Sequence, residues 1–151
     1  MKNVLVVESK NDEIFIKALL SELNIEQIQV EEIGFVHYSL DAQANKPTKL
    51  VQKLKDIQSD IRKEGIERIG LILDIDKVTP QERLELINNA FIEVFTNQHF
   101  TPLNSISTPT NLEFEGENLE VLCYFMNIDG QGELETVLRK IANQHTTYAT
   151  V

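Results

Sequence analysis

The chain predicts an α/β fold: a Rossmannoid, mostly parallel central sheet with helices on both faces. Three observations carry that expectation. Residues 4–7 and 69–73 are uninterrupted apolar runs, the pattern of central parallel strands covered on both sides. Strand-like and helix-like segments alternate from the first residues to about residue 95, as in successive βαβ units. Between the two apolar runs, Leu50, Leu54, Ile57 and Ile61 recur at spacings of four, three and four, the stripe of a helix lying on a sheet.

The first strand, residues 4–7, ends at Glu8. Ser9 or Asn11 can cap the helix that follows, and Asp12 and Glu13 complement the positive end of its dipole. That helix carries Ile14, Phe15, Ala18, Leu19 and Leu23 at near-helical spacing. Residues 27–33 alternate apolar and polar side chains, which predicts a second, more peripheral strand. Residues 34–46 are polar and irregular, and Pro47 opens the helix bearing the Leu50 stripe. Its other face holds Lys49, Lys53, Lys55, Arg62 and Lys63, read first as a solvated face and second as a phosphate-steering patch. Gly65 stops that helix, and residues 66–76 form the third strand.

Thr79, Pro80 and Glu82 supply a cap, a first-turn proline and a first-turn acid for a helix with Leu84, Ile87, Phe91, Val94 and Phe95 inward. Residues 101–110 read as loop. Residues 112–115 and 119–126 read as a late hairpin turning over residues 115–118, and adding an antiparallel or edge element. A last helix is expected over residues 133–142, with Leu134, Val137, Leu138 and Ile141 inward. One domain over residues 1–151 is expected, with its core motifs in residues 2–90 and a C-terminal extension in residues 101–151.

Composition narrows the function classes. A chain of 151 residues can bury a sizeable core, and no apolar run approaches the roughly 20 residues that span a bilayer. The N-terminal apolar run is too short for a signal-peptide core. The single cysteine, Cys123, excludes an internal disulfide and sits in an apolar segment, so a buried, inert thiol and a cytoplasmic location are expected. A formal charge of −10 argues against a broad, metal-free grip on nucleic acid. It leaves room for metal-dependent phosphodiester chemistry, because a bound cation reverses the local field.

The chemistry is expected where the two apolar strands end. Asp74 and Asp76, two residues apart on a strand, point the same way. Ligands in open α/β sheets bind outside the carboxyl ends of the strands. Like charges held that close repel unless a cation, a proton or a basic group sits between them, and a hard divalent ion such as Mg²⁺ or Mn²⁺ suits oxygen ligands. Glu8, with Asp12 a turn later, ends the neighbouring strand. Three or four carboxylates there can bind one or two cations and leave one as a general acid or base. An isolated acid at a strand end is more often a solvated cap. His37, His99 and His145 are too scattered for zinc, and Tyr38, Tyr124 and Tyr148 read as packing or surface residues.

Glu8 and Asp12, four residues apart, followed by Asp74-Ile75-Asp76, resemble the Toprim domain of topoisomerases, primases and related nucleases. That domain has a glutamate ending its first strand, an aspartate four residues on, and an Asp-x-Asp ending a later strand. Gly132-Glu133-Leu134-Glu135 resembles the Gly-x-Leu-Glu segment of small Toprim-like proteins related to the overcoming-lysogenization-defect nucleases. The resemblance implies a Mg²⁺-dependent protein that transfers phosphoryl groups or hydrolyses phosphodiesters, acting on nucleic acid or nucleotide. It implies Glu8 as the general acid or base and Asp74 and Asp76 as metal ligands, with Asp12 in support. Glu135, with Glu133 beside it, is implied as a further carboxylate, and a homodimer is compatible with the resemblance. Lys10 and Lys77 flank the acids and read either as phosphate contacts or, more commonly, as solvated lysines beside an acid. Serine stands at position 9, where the family commonly has a glycine able to take positive φ. The alternative function is accordingly a catalytically weak or inactive module that binds metal, nucleotide or another protein.

Overall fold

The computed structural model describes residues 2–34, 48–74, 79–96, 99–105 and 108–126. Within them the chain runs β1 (Lys2–Val7), α1 (Lys10–Glu22), β2 (Ile28–Glu32), α2 (Thr48–Glu64), β3 (Ile66–Asp74), α3 (Pro80–Val94), β4 (His99–Phe100), β5 (Thr110–Phe114) and β6 (Glu117–Met126). These strands form one six-stranded sheet in the order β2-β1-β3-β6-β5-β4. The β2–β1, β1–β3 and β3–β6 pairs are parallel, and β6–β5 and β5–β4 are antiparallel. The mostly parallel α/β sheet expected from the sequence is the observed architecture. Among the described residues, no helix is long and apolar enough to cross a membrane.

Strand alternation sorts the core into two layers. Val4, Val6, Ile69, Leu71, Leu73, Val121, Cys123 and Phe125 point to the face covered by α2 and α3, where they join Leu54, Ile57, Ile87 and Phe91. Phe91 stacks on Phe95 and Phe100 with ring centroids 6.1 and 5.0 Å away, and Phe114 meets Phe95 edge-on at 5.7 Å. The opposite layer is thin: Val7, Ile16 and Val30 are buried, with Leu5, Phe15, Leu20, Ile28 and Ile72 partly buried around them. The stripes read from sequence on α2 and α3 are the buried faces of those helices.

The α1 stripe is different. Ile14, Leu19 and Leu23 are exposed and Ala18 with them, while Ile16 and Glu13 are buried. The apolar residues of α1, from Ile14 to Leu20, are spread over several sides of the helix, so periodicity alone does not choose its inward side; contact with β1 and β2 does.

The late hairpin forms as expected, from β5 and β6, and adds the antiparallel side of the sheet. Its turn is Glu115-Gly116, at φ 50° and 86°, the positive values of the mirror-image turns that suit twisted strands. Its second strand, β6, lies inside the sheet as the parallel neighbour of β3, and β4 and β5 complete that side. The two-residue β4 falls just before the segment read as loop. Residues 133–142, read as a helix, lie outside the described residues.

Candidate functional site

Because β1, β3 and β6 run parallel, their C-terminal ends share one rim, with Val7 beside Ile72 and Asp74 beside Met126. Glu8 leaves β1 at this rim and is only 3% exposed. Its Oε1 accepts a hydrogen bond from the Asp74 backbone N–H at 3.1 Å, which ties the two strand ends together. Burial is the main force on the Glu8 carboxyl and the nearby negative charge of Asp74 is the second, and together they push its pKa up to about 8. The Arg83 guanidinium and the Asp74 N–H act against that rise, and Asp12 adds a little to it.

The register refines how Glu8 and Asp74 meet. Leu73 belongs to the α2/α3 layer and Ile72 to the α1 layer, so Asp74 leaves β3 toward the α1 side. Val4 and Val6 belong to the α2/α3 layer, and Glu8 continues their side of β1. The contact is therefore carboxylate to backbone at the rim, with the two charges coupled through the sheet edge rather than stacked on one face.

Asp12 has a local task. Its Oδ2 accepts from the Ser9 N–H at 3.2 Å and the Ser9 hydroxyl at 2.8 Å, while Ser9 Oγ accepts from the Asp12 N–H at 3.2 Å. This reciprocal capping box closes the first turn of α1. Ser9 sits at φ −130°, an extended conformation open to any residue, so serine here replaces a glycine without backbone strain.

Lys10 is engaged with Glu13 at 2.9 Å, and Lys17 meets the same carboxylate at 2.7 Å. Lys17 and then Lys10 hold the Glu13 pKa below its ordinary value, and Glu13 in turn raises that of Lys10. On α2, Lys49 donates to the Gly34 carbonyl at 2.7 Å, and Arg62 donates to the Glu115 carbonyl at 3.0 Å and pairs with its carboxylate at 2.9 Å. These contacts favour the structural reading of that basic face over phosphate steering. Cys123 is buried, and burial pushes its thiol up to about 12, so it is inert as expected.

Asp76, Lys77, Glu133 and Glu135 lie outside the described residues. Among the described residues, no group of three or more His, Cys, Asp or Glu side chains is arranged to hold a metal ion. Glu8 and Asp74 are hard oxygen donors of the kind a divalent cation prefers, and the negative charge of Asp74, second to burial in raising the Glu8 pKa, is what such a cation would offset.

Sequence reading missed Arg83. It is only 2% exposed, in the first turn of α3, a helix started by the capping box of Thr79 and Glu82. A trace of it was present in the chain. Arg83 stands four residues before Ile87 and seven before Ala90, so it falls on the inward stripe of its own helix. A cation there has to be buried, and buried cations need anions. Its charge acts on Glu8, the buried carboxylate at the end of β1.

No curated protein and no solved structure matches this chain. A protein family of unknown function, DUF3226, matches residues 2–150, and the chain belongs to that family.

Proposed function

We propose that the rim carrying Glu8 and Asp74 is the centre of a Toprim-like, Mg²⁺- or Mn²⁺-dependent protein that transfers phosphoryl groups or hydrolyses phosphodiesters in nucleic acid or nucleotide. The observation that carries this reading is the Glu8–Asp74 link: a buried carboxylate held 3.1 Å from the backbone of a second acid at the carboxyl ends of adjacent parallel strands. Ligand sites of open α/β sheets lie at this rim, and an acid buried there at a cost in stability is the kind of perturbed group that clusters at functional sites.

In this reading Asp74 and Asp76 hold the cation, Asp12 supports that side, and Glu8 moves the proton. When bound, the cation would polarise a phosphate oxygen and offset the negative charge on the phosphate oxygens. Glu8 is suited to proton transfer near neutral pH because its pKa sits at about 8. The Asp74 N–H fixes one oxygen of Glu8 and leaves the other to meet a hydroxyl or water. Arg83 limits how far the proton is retained. A cytoplasmic location fits the lone buried cysteine.

A second reading, a binding module without turnover, draws support from Lys10. This candidate phosphate contact is engaged with Glu13, in a chain of net charge −10.

The test has two stages. Millimolar Mg²⁺ or Mn²⁺ should raise the melting temperature of the wild-type chain, and Asp74→Asn and Asp76→Asn should abolish the shift, because a ligand that binds only the native state must stabilise it. Metal-dependent nicking of supercoiled DNA that disappears in Glu8→Gln would then separate enzyme from binder. Nicking that survives Glu8→Gln would defeat the role given to Glu8, and the absence of any metal shift would defeat the site.

A further inference from the structure

Charge is unevenly placed around this sheet. Glu8, Asp12 and Asp74 gather at the rim where β1 and β3 end. Cations gather at the opposite edge, where the same strands begin. Helix α2 runs down to that edge, because Gly65 leads straight into β3 and its carbonyl accepts from the Lys2 N–H at 3.1 Å. Lys2, Arg62, Lys63 and Arg68 lie toward that edge, and Lys55 is halfway along α2. Among the described residues, the cations nearer the rim are engaged. Lys10 and Lys17 both bind the Glu13 carboxylate, at 2.9 and 2.7 Å, and Glu13 is only 7% exposed. Drawing the two lysines away to a phosphate would strip a buried carboxylate of both, which costs more than breaking an exposed pair. Lys49 donates to the Gly34 carbonyl at 2.7 Å, and Lys53 lies 3.9 Å from Glu31. Arg83 is buried too deeply to meet a phosphate arriving from solvent. Over the whole chain, 24 acids stand against 14 bases.

We propose that the rim takes a small nucleotide, of the nucleoside diphosphate class, rather than a polynucleotide. This rests on the reading of the rim as a divalent-cation site and narrows its substrate. Long nucleic acid is gripped by several cationic side chains, each neutralising one phosphate of a run. A strand laid across this rim meets the carboxylates of Glu8, Asp12 and Asp74, and lysines already held by Glu13. The cationic side chains that could follow a backbone lie toward the other edge of the sheet. A nucleotide asks for less. Its phosphates lie together, so one divalent cation held by oxygen donors such as Asp74 can offset their charge without a track of lysines. The carboxylates that repel a polymer are then the groups that attract the ion, and the ion reverses the field over a small area only.

The test reads the melting temperature of the full chain with Mg²⁺ in excess, and needs no turnover. ADP should raise it beyond Mg²⁺ alone, and a single-stranded DNA oligonucleotide at equal phosphate concentration should not. The ADP shift should vanish in Asp74→Asn and, in the wild-type chain, when Mg²⁺ is left out. Between about 50 and 200 mM salt the ADP affinity should fall by less than about tenfold, whereas a polymer held through several phosphates would lose about 10³-fold or more. A DNA shift equal to or larger than that of ADP, with the steep salt dependence, would overturn the proposal and leave the metal site standing. An ADP shift that survives without Mg²⁺ or in Asp74→Asn would overturn it too, since the nucleotide would then sit elsewhere. So would the lack of any ADP shift in a chain that Mg²⁺ does stabilise. No shift with Mg²⁺ itself would defeat the metal reading, and this proposal with it.

Discussion

The two faces of the sheet are built from the same strands yet are finished very differently. The face under α2 and α3 is closed: Leu54, Ile57, Ile87 and Phe91 are each no more than 1% exposed. The α1 face buries Val7, Ile16 and Val30 and leaves Leu19, Leu122 and Tyr124 partly in solvent. The difference teaches where this fold buries an acid and where it leaves acids near water. The closed face surrounds Glu8 and Arg83 with low-dielectric material, which is why an acid there resists ionisation. The open face receives Asp74 and Asp12, acids close to water.

The largest test of that contrast is truncation of the core. Phe91→Ala should cost about 3–5 kcal/mol, whereas Ile16→Ala should fall near the lower end for such changes, about 2 kcal/mol, because few neighbours surround it. Chemical denaturation of both variants checks this, and equal losses would break the comparison.

Next comes the pH dependence of the buried acid. The folded Glu8 pKa is raised from 4.5 to about 8, so the folded state holds its proton more tightly than the unfolded chain. Its contribution is complete below pH 4.5 and is lost as pH rises through 8. Glu8→Gln removes this dependence while keeping an oxygen for the Asp74 N–H. Above pH 9 the variant should be the more stable protein by about 2–3 kcal/mol, half of the shift taken at face value. Melting curves of both proteins from pH 5 to 9.5 measure it, and parallel profiles would show that Glu8 ionises freely.

Arg83→Met sharpens the same point. Without the guanidinium, Glu8 should keep its proton to still higher pH, so the loss of stability in this variant should grow between pH 7 and 10. A pH-independent loss would mean that Arg83 acts only by packing.

Smaller effects belong to the open face. Ser9→Ala breaks the capping box of α1 and should cost about 1 kcal/mol. Ile14→Ser, at a position 58% exposed, should change stability by less than about 0.5 kcal/mol. A large effect at Ile14 would identify a contact on the outer side of α1.

Much of the fold was legible in the chain, for local reasons. Continuous apolar runs in β1 and β3, the Leu50–Ile61 stripe and the Thr79–Pro80 start each depend on neighbours within a few residues. The inward side of α1 was not legible, because its apolar residues between Ile14 and Leu20 are spread over several sides of the helix and allow more than one orientation. The position of β6 was not legible either, since a hairpin pattern says which strands pair and not where the pair enters a sheet.

The candidate site divides the same way. Glu8, Asp12 and Asp74 could be singled out because acids at the ends of apolar strands are local facts. That Ser9 and Asp12 form a capping box was nearly legible as well, from their three-residue spacing. Arg83 was not, because its meaning lies in a carboxylate 75 residues earlier in the chain.

By itself, then, the sequence determined the strands, the helices, their caps and the order in which acids arrive at strand ends. These follow from side-chain periodicity and from hydrogen bonds reaching only one turn. Tertiary structure alone decided that Glu8 is buried on the Asp74 backbone, that Arg83 opposes its retained proton, and that one face of the sheet closes while the other stays partly open. Burial and charge coupling depend on distances between residues far apart in the chain. Only packing of the elements sets those distances.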